Sequence, residues 1–163
     1  MEQADVLDTF NIDFDAGKMF WEKPSKYHIE KMGQEAGGPT ITHNKKYYWT
    51  VRIGGRKYKR GRLLFLAAYG TWPEPCIDHI NGNSLDDSLS NLREATFLQN
   101  SWNHKGRKRR IDLPMGVFLC ASGRFGARIT CRGKQIHLGT YITPDEASTV
   151  YQSKRRELYG KFA

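Results

Sequence analysis

Cys76 to His104 reads CIDHINGNSLDDSLSNLREATFLQNSWNH, and the order of turn and capping signals in it decides the fold of the chain's centre. Asp78 and His79 end a short apolar lead-in. Asn81-Gly82 follows, a pair that readily takes the φ > 0 turn closing a tight β-hairpin, which exposes both side chains near a turn. Farther on, Thr96-Phe97-Leu98-Gln99 has the S/T-x-x-E/Q form of a capping box, so a helix is expected from Thr96 to about His104. Asn100 and His104 then lie one turn apart on one helix face.

The residue types suit one chemistry. A divalent cation held by the Asp78 carboxylate and the Asn100 side-chain oxygen would neutralise a scissile phosphate and stabilise the leaving oxygen. His79, next to the carboxylate, has an imidazole whose ordinary pKa of about 6.5 suits a base near neutral pH. Asn91 both donates and accepts, so it can pin the loop backbone and hold the hairpin against the helix. An Asp-His pair alone is more often an ordinary turn. The ordered set carries the reading: Asn91 stands twelve positions after His79, and Asn100 nine beyond that.

Those words, IDHINGN, NLREAT and QNSWN, resemble the HNH endonuclease motif, the ββα-metal finger, in the form carried by phage and intron-associated homing endonucleases. The resemblance puts the first H at His79, the N at Asn91, and the metal ligands at Asp78 and Asn100, with Mg²⁺ or Mn²⁺ as the divalent ion. It leaves His104 as either a substrate or phosphate contact or a plain helix-end residue. The family usually writes the middle as DNRxxNLR, where this chain has Asp86-Asp87-Ser88-Leu89-Ser90-Asn91-Leu92-Arg93. One arginine contact is therefore missing, while Arg93 remains as a basic residue expected to meet DNA.

Composition sets the bounds. A chain of 163 residues, 39% hydrophobic, holds one ordinary domain or two small ones with modest cores. With 26 Lys+Arg against 17 Asp+Glu, the net charge of +9 favours a polyanionic partner, although basic faces are also common as solvated surface. Cys76, Cys120 and Cys131 are odd in number and widely spaced, so they are expected to be reduced and buried rather than paired or zinc-bound. No run approaches the ~18 apolar residues of a membrane span, and MEQADVLDTF is acidic where a signal peptide is basic. A soluble, cytoplasmic protein is expected, in the bacterial host if the gene is a phage's.

Ahead of the central stretch, Phe10–Phe14 alternates apolar and polar, Asp15-Ala16-Gly17 turns, and Lys18–Trp21 returns, so a scaffolding hairpin is expected. Residues 23–46 read as irregular, with one short helix over 25–32. Tyr47–Ile53, Gly54-Gly55 and Arg56–Lys59 form an aromatic, β-branched hairpin whose Arg52, Arg56 and Lys57 can grip phosphates. A helix beginning at Arg60 or Arg62 and ended by Gly70 should cover it. The words GRLLFLAAYGTWP also resemble the HNH family, in which a histidine often stands where Gly61 does. After the central helix, KGRKRR over 105–110 reads as a basic linker in which Lys105 and Arg107 would lie along phosphates, or simply face solvent.

Beyond Pro114 the pattern changes to strands at about 116–120, 125–130 and 134–140, with turns at Ser122-Gly123 and Arg132-Gly133. A helix follows, opened by Thr143-Pro144-Asp145-Glu146, a capping box with Pro at its first position, and ended before Gly160. Alternation turns Val117, Leu119, Ala127, Ile129, Ile136 and Leu138 to this helix. Phe118, Arg128, Thr130, Gln135 and His137 are left on the free face, with Arg124 at a turn. The words GV, GRFGARI, HLGTY and TPDEAxxxY resemble the plant apetala-two/ethylene-response-factor DNA-binding domain, which is also found fused behind HNH nucleases. The likeness makes those six residues DNA-facing, but His137 and Thr130 stand where tryptophan and arginine are usual, so no target sequence carries over. A protein-binding or merely solvated face is the alternative.

The expected architecture is α+β: an N-terminal ββα-metal HNH nuclease domain over 1–104 with its core motif at 76–104, a basic linker over 105–113, and a three-stranded antiparallel sheet packed on one helix over 114–163. The expected function is a monomeric, homing-type, metal-dependent endonuclease on double-stranded DNA, with no membrane partner. A catalytically inert DNA-binding regulator and a structure-specific or packaging-related phage nuclease are the rivals.

Overall fold

The structure is a computed structural model that describes residues 1–26, 28–43, 45–103 and 112–163. The chain forms two compact units, Met1–Asn100 and Ser101–Ala163. In the first, helix α1 (Gln3–Thr9) opens on a reciprocal cap in which the Glu2 amide donates to Asp5 Oδ2 at 2.7 Å. The expected hairpin follows as β1 (Phe10–Asp13) and β2 (Lys18–Trp21), with Phe10 opposite Trp21. Only a 3₁₀ turn, Ile29–Lys31, forms where a helix over 25–32 was expected.

Residues 23–46 also hold a strand that their Gly and Pro content disguised. Strand β3 (Gly38–Ile41) pairs antiparallel with β4 (Tyr47–Ile53), which pairs with β5 (Arg56–Lys59). Pro39 is tolerated because β3 is an edge. Helix α2 (Arg60–Tyr69) ends at Gly70, whose φ of 76° is the left-handed cap that glycine adopts at little cost. Its Leu63, Leu64, Leu66 and Ala67 meet Val6, Phe10, Met19, Val51 and Leu92 in one core. Residues from the chain's beginning are thus built into the body that carries the central motif.

That motif begins with β6 (Cys76–His79), antiparallel to β7 (Leu92–Ala95), with Asp78 opposite Arg93 and His79 opposite Leu92. The tight hairpin expected at Asn81-Gly82 does not form, although Gly82 takes the expected positive φ, 73°, and its amide donates to the His79 carbonyl at 2.8 Å. The strands are joined instead by residues 80–91, because Asn81, Asn83 and Asp86 side chains take up loop amides and stabilise a longer excursion. Helix α3 (Phe97–Trp102) starts on the expected box: the Gln99 amide donates to Thr96 Oγ1 at 3.1 Å, and the Thr96 amide to Gln99 Oε1 at 2.8 Å.

In the second unit, β8 (Val117–Leu119), β9 (Phe125–Cys131) and β10 (Lys134–Tyr141) form an antiparallel sheet in the order β10-β9-β8. Helix α4 (Pro144–Tyr159) is capped by Thr143 and Glu146 as its sequence indicates. Ala147, Tyr151 and Tyr159 from α4 meet Val117, Ala127 and Ile129 from the sheet. Trp102 stacks on Tyr159 at 4.7 Å between ring centroids, and Arg155 donates to the Trp102 carbonyl. Leu119 and Ile136, expected to be inward, are exposed, and both lie on the outer strands of the sheet.

Candidate active site

Asp78 and Asn100 come from different elements, and each lies close enough to Cys76 to act on its thiol. Cys76 and Asp78 share one face of β6 by strand alternation. The Asn100 side chain hydrogen-bonds the Cys76 sulfur, and the thiol itself donates to the Ala95 carbonyl at 3.0 Å. Burial first, and then the Asp78 charge, push the Cys76 thiol above its ordinary pKa, while the Asn100 bond and the nearby Arg62 and Lys59 charges pull it down. Capping explains why Asn100 arrives there: the box fixes the first turn, and the Asn100 amide donates to the Thr96 carbonyl at 2.9 Å.

Asp78 is 3% exposed on its side chain and is gripped by Arg93, whose Nη2 and Nε lie 2.6 and 2.8 Å from Oδ2. Arg93, expected to face DNA, has its side chain only 12% exposed, because cross-strand register sets it opposite this carboxylate.

His79 ends β6 and turns Nε2 to Asp87 Oδ1 at 2.9 Å, with side-chain exposures of 11% and 3%. Asp87 Oδ2 in turn accepts from Arg60 Nε at 2.9 Å, and Arg60 Nη1 reaches Glu35 Oε1 at 2.8 Å. The Arg60 guanidinium also lies over the Trp49 ring, 4.4 Å from its centroid. Two glycines make room for this group. A Cβ on Gly17 would stand 2.3 Å from the Asp87 carbonyl carbon, and one on Gly61 would stand 2.8 Å from Asp87 Oδ1. Gly61 therefore lies against the carboxylate that holds His79.

Asn91, buried, does what its two-sided amide suggests for the loop. Its Oδ1 accepts from the Asn81 amide at 2.9 Å, and its Nδ2 donates to Asn81 Oδ1 at 3.1 Å and the Asp86 carbonyl at 2.7 Å. Asp86 accepts from Ser88 and Asn81, and the Ser88 hydroxyl is the main cause of a carboxyl held below its ordinary pKa.

Basic groups line the elements just ahead of the motif. Arg52, Arg56 and Lys57 are exposed on β4 and β5, and Arg52 Nη1 donates to the Gly55 carbonyl at 2.9 Å. The structure adds Lys59 and Arg62, which sequence reasoning passed over. Lys59 Nζ is 3.8 Å from the Tyr48 ring centroid, and burial first and Arg62 second lower its pKa. His104, Lys105 and Arg107 lie outside the described residues.

In the second unit the register sets Phe118 beside Gly126, Gln135 opposite Thr130 and His137 opposite Arg128, so all five expected residues share the face away from α4. The Arg128 guanidinium is 4.8 Å from the Phe118 ring centroid, and the His137 ring 6.3 Å. Arg124 is exposed at the turn before β9. Cys76, Cys120 and Cys131 are free, and each is half-buried rather than buried, since they lie near strand ends.

Among the described residues no group of three or more His, Cys, Asp or Glu side chains could hold a metal. Asp78 and Asn100 offer two hard oxygen donors, which fits a Mg²⁺-like ion that keeps several waters and takes the rest of its shell from phosphate. No described helix is long and apolar enough to cross a membrane.

Residues 58–102 match the HNH endonuclease family, so the β-strand pair, its loop and α3 constitute an HNH endonuclease domain. The chain belongs to the same family as protein 3.8 of Escherichia phage T7, with which it is 36% identical over 107 residues, 64% of this chain and 88% of that protein. It is also 32% identical over 87 residues to an uncharacterized HNH endonuclease, L560, of Acanthamoeba polyphaga mimivirus, covering 53% of this chain but 44% of that protein. No solved structure matches. HNH nucleases are generally dependent on a divalent metal, and the domain implies DNA as substrate. The domain sits mid-chain rather than at the N-terminus as expected: the elements ahead of residue 58 serve to complete the core under α2.

Proposed function

We propose that the protein is a homing-type, metal-dependent endonuclease that hydrolyses double-stranded DNA at a recognised site. One observation carries this reading: the capped helix α3 delivers the Asn100 carboxamide to the Cys76 side of β6, where the Asp78 carboxylate also lies. Asp78 and Asn100 would hold a Mg²⁺ or Mn²⁺ ion, which when bound supplies Lewis-acid stabilisation of charge on the departing oxygen. His79 takes the proton of the attacking water, and Asn91 keeps the loop between the two strands in place. The basic groups Arg52, Arg56, Lys57, Lys59 and Arg62 hold the phosphate backbone. The Phe118, Arg128, Thr130, Gln135 and His137 face, with Arg124, lies against base edges and fixes the site of cutting.

A supercoiled plasmid incubated with Mg²⁺ tests the reading. Nicked or linear product is expected, lost in excess EDTA, and His79→Ala should bind DNA but not cut. Cutting by His79→Ala at the wild-type rate would remove the base, and undiminished cutting in EDTA would remove the metal. One observation favours the rival reading of an inert DNA-binding regulator, namely that Arg93 already neutralises Asp78. An intact plasmid with full DNA binding would establish that rival.

A further inference from the structure

We infer that Asp87 is a positioning residue for His79: by accepting from Nε2 it fixes the imidazole tautomer that carries its lone pair on Nδ1. The inference rests on the nuclease reading for its purpose, since a base needs one defined nitrogen to take the proton of water. Its footing is geometric. Asp87 stands where the family's DNRxxNLR has asparagine, so the carboxylate is this chain's own, and it is nearly fully buried with Oδ1 2.9 Å from His79 Nε2 and Oδ2 2.9 Å from Arg60 Nε. The cage around it is specific, with two glycines closing on Asp87 and Arg60 held in turn by Glu35 and the Trp49 ring.

The choice of a carboxylate matters because it faces two donors. Arg60 Nε can only donate, so one oxygen of residue 87 must accept from it. A carboxylate has a second oxygen for the imidazole, which then presents N–H at Nε2 and keeps its lone pair on Nδ1. An asparagine in the same place gives its oxygen to Arg60 and turns its NH₂ to the ring. Nε2 must then become the acceptor and the ring proton moves to Nδ1. Shape is preserved and the tautomer is reversed, a change known to cost an Asp-His pair in serine proteases about 10⁴-fold. Arg60 sets its guanidinium against the other oxygen of Asp87, 2.9 Å away, and so fixes which oxygen faces the ring.

The test uses the full chain with ¹⁵N-labelled histidine, at a pH where the imidazole is neutral. Its five histidines are assigned with His79→Gln as the reference. Wild-type His79 is expected as the Nε2–H tautomer and Asp87→Asn as the Nδ1–H tautomer. Plasmid cleavage by Asp87→Asn should fall by about 100-fold or more, with DNA affinity within twofold of wild type. An Nδ1–H tautomer in the wild-type protein overturns the inference without any variant, so a poorly folded Asp87→Asn does not shelter it. Wild-type cleavage with Asp87→Asn within threefold also overturns it. A wild-type protein that leaves plasmid intact overturns the nuclease reading instead, while the tautomer still reports on the contact itself.

Discussion

Replacing Arg60 by alanine removes a guanidinium that is almost wholly buried at the first turn of α2, bonded at 2.9 Å to Asp87 and 2.8 Å to Glu35. A cation at a helix N-terminus opposes the macrodipole, so its stability there depends on those two carboxylates. The variant leaves Asp87 buried with one donor in place of two, and breaking a buried pair in this way costs about 3–5 kcal/mol. Loss of the stacking on Trp49 adds about 0.5–1 kcal/mol. At about 4 °C per kcal/mol for a unit of this size, the first unit should melt about 15–20 °C lower. Trp49 stands at the altered position, so tryptophan fluorescence during a urea or thermal melt reads the transition. The double variant Arg60→Ala/Asp87→Ala should recover part of the loss, because the stranded charge is gone. A drop below about 1 kcal/mol for Arg60→Ala, or no recovery in the double variant, would refute the assignment of this cluster as a buried ionic anchor.

Two further outcomes concern the second unit. Gly126→Ala would set a Cβ 2.4 Å from the Phe118 ring, so the ring and the Arg128 stacked on it must move. A loss of about 1–3 kcal/mol in stability is expected, together with about tenfold weaker binding to duplex DNA measured by fluorescence anisotropy. Unchanged affinity would detach that face from DNA. Tyr159 donates its hydroxyl to the Thr130 carbonyl at 2.6 Å, and burial chiefly raises its pKa above 10. The folded state therefore retains a proton that the unfolded chain has lost, so this contribution is complete below pH 10 and disappears as pH climbs through the raised value. Tyr159→Phe should cost about 1 kcal/mol at neutral pH and flatten the alkaline decline seen in urea melts.

Local chemistry was readable in the sequence where the partners lie within a few positions of each other. The Thr96/Gln99 and Thr143/Glu146 boxes, the Gly54-Gly55 turn and the Gly70 helix end all form where their residues indicate. Alternation sorted the exposed face of the second sheet for the same reason, failing only at Leu119 and Ile136 on its outer strands. The candidate site was legible only as far as the motif's own positions. Asp87 was passed over because its meaning depends on Arg60, 27 positions away, and on two glycines that leave it space. Arg93 read as a DNA contact because only strand register reveals that it faces Asp78. Strand β3 escaped notice because Gly38 and Pro39 argue against a strand until its edge position is known.

The stacking of Trp102 on Tyr159, with Arg155 donating to the Trp102 carbonyl, bears on where the second unit can be cut free. A fragment trimmed to Pro114, where the strand pattern starts, would bare one side of an aromatic ring that the whole chain keeps 9% exposed. Such a piece would tend to associate through that bared ring, whereas one retaining Ser101 onward carries its own lid.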